Sequence, residues 1–299
     1  MTKPSQHVVS QPLSRQAILR NPGMLKLELM RRGLRIDQPT LAEIRPSNNG
    51  LWGATGHALF GSAWDLDLTL PQDTWASVPI HPRLSAGSPY TLVSRDGQHL
   101  VTADDTDDAT VVGVRPPAAF FRATTKSGRP LGQIGTVHGP YLALSPTNRC
   151  QFLSTADACR FCGVSSTGSP HDAVPVDDIV EAVRIARDEN PVHMVHLSVG
   201  WLGTDDGGVR MLEPYVAALK KHFDILVAVD ALPPKEDGWI ERTYGMGADA
   251  VSYNLEIWNP ARFTQMCPGP ARVIGRERFL DALGYATTVF PSGGVTCHL

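Results

Sequence analysis

The chain has 299 residues, 42% of them hydrophobic, and a net charge of −3. That length allows one large domain or a domain with a smaller attachment, and the near-balanced charge gives no reason to expect nucleic acid or an anionic membrane as a partner. No window approaches the ~18–20 apolar residues of a membrane span, and residues 1–22 are polar without a signal-peptide core, so a cytoplasmic protein is expected.

In chain order, residues 1–22 read as a mobile arm. Residues 24–34 suit a short helix ended near Gly33. Residues 46–75 are rich in Gly, Asn and Trp and show no clear period. From residue 78 to 114 the pattern turns to short β runs. Two of them, 90–94 and 98–102, flank Arg95-Asp96-Gly97, and Asp-Gly is a strong hairpin signal. Residues 104–108 (Asp-Asp-Thr-Asp-Asp) read as an exposed acidic turn. The whole 1–138 region reads as a small α+β attachment.

After Gly139 the rhythm becomes strand, loop, helix. Strands are predicted at 141–145, 192–199, 224–229, 249–255 and 295–299. Helices are predicted at 175–190, 209–222, 235–246 and 272–283, the last ended by Gly284; Pro214 argues for an early turn or a kink. Near-continuous apolar strands alternating with helices mean a parallel sheet covered by helices. The fold class is therefore α/β, a partial TIM-like (β/α) barrel over 139–299 with the N-terminal attachment before it. Because the last predicted strand has no covering helix, the C-terminal part of the barrel is expected to be missing.

The stretch Cys150-Gln-Phe-Leu-Ser-Thr-Ala-Asp-Ala-Cys159-Arg-Phe-Cys162-Gly163 follows the first of these strands. It holds three of the five cysteines in fourteen residues. In a reducing compartment such clustering points to metal or catalysis over disulfides. A structural zinc site wants four ligands, and His171 is a candidate fourth. Three thiolates on a four-iron cluster would instead leave one iron open to a small molecule. A zinc- or iron–sulfur-stabilised binding protein without catalysis is the alternative to an enzyme.

This loop resembles that of the radical S-adenosylmethionine (SAM) enzymes, whose usual pattern is Cys-x3-Cys-x2-Cys after the first strand of a partial barrel. Phe161 before the last cysteine and Gly163 after it match the family. The first gap is eight residues rather than three, and residues 151–158 are expected to bulge outward and leave the three sulfurs converging. Residues 254–275 are similar to a subgroup near biotin synthase. Pro116-Pro-Ala-Ala-Phe-Phe with Gly135-Thr-Val-His-Gly is similar to members encoded in nitrilase or cyanide-use gene clusters.

The resemblance implies a [4Fe-4S] cluster on Cys150, Cys159 and Cys162, with SAM on the open iron. It implies SAM contacts at Phe161, at Ser198 and Gly200 in the turn after the second strand, at Asn254 and Glu256 on the fourth, at Arg276 on the next helix, and at Val295 on the fifth. It implies reductive cleavage of SAM to a 5′-deoxyadenosyl radical that abstracts hydrogen from a small-molecule substrate. The electron would come from a ferredoxin- or flavodoxin-like donor, and either the 1–138 attachment or a further C-terminal segment would cap the site. Cys267 is a candidate near the site, and Cys297 reads as inert.

Overall fold

The computed structural model describes residues 13–44, 65–115, 118–153, 155–166, 173–189 and 191–299. The candidate ligand His171, residues 1–12 and most of the Gly-, Asn- and Trp-rich stretch lie outside the described residues. The chain divides into two compact units, which among the described residues are 13–44 with 65–115, and 118–299.

The first unit runs α1 (Arg15–Leu19), α2 (Pro22–Arg32), β1 (Arg35–Ile36), α3 (Gln38–Ile44), β2 (Asp65–Leu70), β3 (Thr74–Pro79), α4 (Pro82–Ser85), β4 (Tyr90–Arg95), β5 (Gln98–Ala103) and β6 (Thr106–Val114). Its strands form one sheet in the order β1-β4-β5-β6-β2-β3. Asn21 caps α2 by accepting the Met24 N–H, and Gly33 ends the helix with φ +73°. A Cβ on Gly33 would meet the Pro79 carbonyl at 2.8 Å, so glycine serves both the left-handed turn and the close approach. Asp96 and Gly97 both have positive φ and close the β4–β5 hairpin as expected. Two expectations are corrected here. Residues 15–19 are helical rather than arm, since Ser14 caps them. Leu66, Leu68 and Leu70 alternate into the core of β2, a period hidden by the irregular residues before it.

The second unit runs β7 (Gly135–His138), β8 (Tyr141–Leu144), α5 (Val176–Glu189), β9 (Met194–Ser198), α6 (Val209–His222), β10 (Leu226–Asp230), α7 (Gly238–Gly245), β11 (Ala250–Ser252), α8 (Pro260–Met266), α9 (Pro268–Val273), α10 (Arg276–Val289) and β12 (Val295–Thr296). The sheet order is β12-β11-β10-β9-β8-β7. Neighbours are parallel except β7, which pairs antiparallel with β8 at one edge. The result is a curled half-barrel covered by helices. Residues 118–138, which the sequence reading groups with the attachment, pack in this second unit: Phe120, Leu131 and Ile134 are buried in its core, and Ser145 N–H donates to the Ile134 carbonyl at 2.8 Å.

Each strand splits its residues between two faces. Val195, Leu197, Val227, Val229 and Val251 join Ile179, Val183, Leu212, Val216 and Ile240 in one buried core. The residues between them face the other way, and there Ser198, Asp230, Ser252 and Thr296 stand in register across four strands. Pro214 lies inside α6 without ending it. The predicted 272–283 helix is corrected: Gly275, with φ +82°, separates α9 from α10, and Gly284 lies within α10 rather than ending it. A glycine inside a helix costs only about 1 kcal/mol relative to alanine, which the buried Phe279, Ala282 and Ala286 face readily offsets.

Candidate functional site

The C-terminal ends of β8, β9, β10 and β11 open onto a cavity of about 220 Å³. Cys150, Cys159 and Cys162 all line it, together with Phe161, Ser198, Gly200, Asn254 and Glu256. The C-terminal face of a parallel barrel is where loops converge on substrate.

Cys150 is placed by backbone. The main-chain N–H groups of Phe152 and Trp201 donate to its sulfur, yet burial, the largest influence, pushes its thiol up, and the neighbouring Cys159 and Cys162 push the same way. Gly200 makes the fit possible: a Cβ there would lie 2.6 Å from the Cys150 Cβ. Gln151 ties the loop to the same turn, its N–H donating to the Trp201 carbonyl at 2.8 Å and its amide to the Leu202 carbonyl at 2.9 Å.

Among the described residues of the gap, 151–153 and 155–158, Gln151, Thr155 and Ala156 are exposed, but Phe152 and Asp157 are tied back to the fold rather than bulging free. Phe152 is buried, with its ring stacked on Trp201 at 6.0 Å and the two planes 4° apart. Beyond it the loop docks on the α8–α9 junction. Gly269 N–H donates to the Asp157 carbonyl at 3.0 Å, Arg160 N–H donates to the Met266 carbonyl at 2.8 Å, and Arg272 pairs with the Asp157 carboxylate. A Cβ on Gly269 would come within 2.6 Å of the Phe152 ring. An apolar ring with a buried seat, and main-chain groups with partners, hold the insertion to the fold at Phe152 and Asp157.

Cys267 lines the cavity as well. It is 1% exposed, and its thiol and that of Cys159 are hydrogen-bond partners. The shared bond pushes Cys159 up and pulls Cys267 down.

Opposite the thiols lies a polar cluster. Asp230 accepts from the Asn254 amide at 3.1 Å and from the Ser198 hydroxyl. Burial raises its carboxyl to about 6, and nearby Glu256 adds to the rise. Asn254 Oδ1 accepts from the Ser252 hydroxyl at 2.6 Å and from His298 N–H at 3.0 Å. Glu256 is held at φ +67°, and its N–H donates to the His298 carbonyl at 2.9 Å. A bulky residue in the left-handed region is strained, and such strain gathers at functional sites. Burial also raises the Glu256 carboxyl.

Two of the expected contacts are placed elsewhere. Arg276 stacks its guanidinium 4.7 Å from the Trp258 ring and pairs with Glu277, outside the cavity lining. Val295 packs on the helix-covered core rather than on the cavity side. Among the described residues, no group of three or more His, Cys, Asp or Glu converges as a single-ion site. The donor set nevertheless suits an iron–sulfur cluster: three soft thiols wall one cavity, the glycine at 200 keeps the space beside Cys150 open, and three protein ligands leave one metal position for another donor.

Sequence reasoning missed Asp230, whose signal was a carboxylate ending an apolar strand at the C-terminal face, and the Phe152–Trp201 stack, which no local pattern announces.

The fold and site define a class: a partial α/β barrel with a thiol-lined cavity at its C-terminal mouth. No protein-family model matches the chain. It is similar to a bacteriochlorophyllide c C-7(1)-hydroxylase of Chlorobaculum limnaeum, 22% identical over 174 residues. That alignment covers 50% of this chain and 42% of the hydroxylase, so the chain spans less than half of this relative's length. Among solved structures, the FeFe-hydrogenase maturase HydG from Carboxydothermus hydrogenoformans matches at 18% identity and a TM-score of 0.41, over 50% of this chain and 33% of that one. Methylornithine synthase (PylB) matches at 13% identity and a TM-score of 0.41, over 57% and 51%. The match with the hydroxylase supports the radical SAM resemblance at low identity.

Proposed function

We propose that the chain is a cytoplasmic radical SAM enzyme acting on a small-molecule substrate, with an electron donor of the ferredoxin or flavodoxin kind. The observation that carries this reading is the placement of Cys150, Cys159 and Cys162 around one cavity at the C-terminal mouth of a parallel half-barrel. The three cysteines would hold a [4Fe-4S] cluster, which with bound SAM supplies one-electron cleavage of the sulfonium and hydrogen-atom abstraction.

The chain's own residues bind, orient and shield. Ser198, Asp230, Asn254 and Glu256 offer a polar wall with fixed hydrogen-bond directions. Phe152, Trp201, Phe263 and Phe279 supply apolar wall that keeps water from a reactive site. Asp230, raised to about 6, exchanges its proton near neutrality and is suited to hold a hydroxyl or amino group. Soft thiols need deprotonation to bind iron, and cluster binding supplies the charge that offsets their burial.

Anaerobic reconstitution tests this. A brown protein with iron on a four-iron scale that forms 5′-deoxyadenosine from SAM under reduction is expected, and each of Cys150→Ala, Cys159→Ala and Cys162→Ala should abolish both. A colourless protein that binds zinc, or a cluster indifferent to Cys150→Ala, overturns the reading.

A further inference from the structure

The cysteine loop and the α8–α9 junction run antiparallel. Two main-chain bonds, from Gly269 N–H to the Asp157 carbonyl and from Arg160 N–H to the Met266 carbonyl, tie the two segments together within two residues of Cys159 and of Cys267. Cys159 packs against the apolar cluster that holds Cys267. The two thiols are hydrogen-bond partners, and both face the cavity. Cys267 has no place in the three-ligand set, yet it is the sulfur that the fold holds against one of the ligands.

We propose that in the cluster-free protein Cys159 and Cys267 form a disulfide, which withdraws a cluster ligand, fastens the loop to the α8–α9 junction and makes cluster loading depend on thiol redox state. The oxidant is a low-molecular-weight disulfide such as oxidised glutathione. The thiolate of one cysteine attacks one of its sulfurs and one glutathione thiolate leaves. The other cysteine's thiolate then attacks the cysteine sulfur of that mixed disulfide and the second glutathione leaves. Two cysteine protons end on two glutathione thiols, and the two electrons that the cysteines lose reduce the oxidant's S–S bond. The effect on loading rests on the proposed function; the cross-link itself does not.

The test uses the full chain, freed of metal by chelation, incubated with oxidised glutathione and mapped by non-reducing peptide mass spectrometry. A peptide pair joining Cys159 to Cys267 is expected, with loss of iron uptake that dithiothreitol restores. Cys267→Ser should show neither the cross-link nor the loss of uptake. Free thiols at both positions, glutathione adducts alone, or bridges confined to Cys150, Cys159 and Cys162 would overturn the proposal. If the bridge forms but reduced wild-type protein takes up no four-iron cluster, the radical SAM reading fails and the disulfide stands.

Discussion

Gly200 lies so close to Cys150 that a methyl group on it would sit 2.6 Å from the Cys150 Cβ and 2.9 Å from the Arg149 carbonyl oxygen. Neither neighbour is the free end of a flexible side chain. Gly200→Ala must therefore displace the loop's first turn, at the roughly 1–3 kcal/mol typical of overpacking. The expected outcome is a folded protein with reduced iron uptake, read as iron per chain after reconstitution; unchanged uptake would show that Cys150 tolerates the shift.

Phe152 anchors the long gap between the first two cysteines. Phe152→Ala removes a buried ring from its seat on Trp201, a change that typically costs about 3–5 kcal/mol. Hydrogen exchange should accelerate across residues 150–162 while α5 and α6 stay protected. Uniform acceleration would mean that the loop and the barrel core unfold together.

Asp230 makes stability depend on pH. Its carboxyl sits at about 6 against an ordinary 3.8, so the folded state favours the protonated form. Stability from this group is fully present below about pH 4 and is lost as pH rises through about 6. Asp230→Asn keeps an oxygen to accept from Asn254 and removes the ionisation. In metal-free protein it should raise stability above pH 7 by roughly 3 kcal/mol and leave it unchanged near pH 4. Denaturant midpoints at the two pH values check this; an equal change at both would assign the effect to packing.

His196, on the cavity-side face of β9 with its ring 4.6 Å from Tyr141, titrates in the opposite sense. Burial holds it at about 4 against an ordinary 6.5, with His298 adding to the depression. Its contribution is present above about pH 6.5 and is lost as pH falls toward 4. The imidazole should stay neutral by NMR at pH 5.5, where an exposed histidine is charged.

Much of the fold was legible in the sequence because its signals are local. Apolar runs of strand length, Asp-Gly at 96–97 and Gly33 after a helical period each act within a few residues of themselves. The three cysteines were legible for the same reason, since spacing along one loop is enough to mark a metal site. Asp230 was half legible, a carboxylate closing Val-Ala-Val, but nothing local says that Ser198 and Asn254 would meet it.

Residues 150–162 show where the sequence stops. By itself it determined that three thiols share one loop after a β-strand, because that depends only on order along the chain. The tertiary structure alone decided the docking of Asp157 on the α8–α9 junction, the seat of Phe152 on Trp201, the clearance at Gly200 and the arrival of Cys267 beside Cys159. Those contacts join residues about 50 to 115 positions apart, and only packing of the β9 turn and the α8–α9 junction against the loop brings them together.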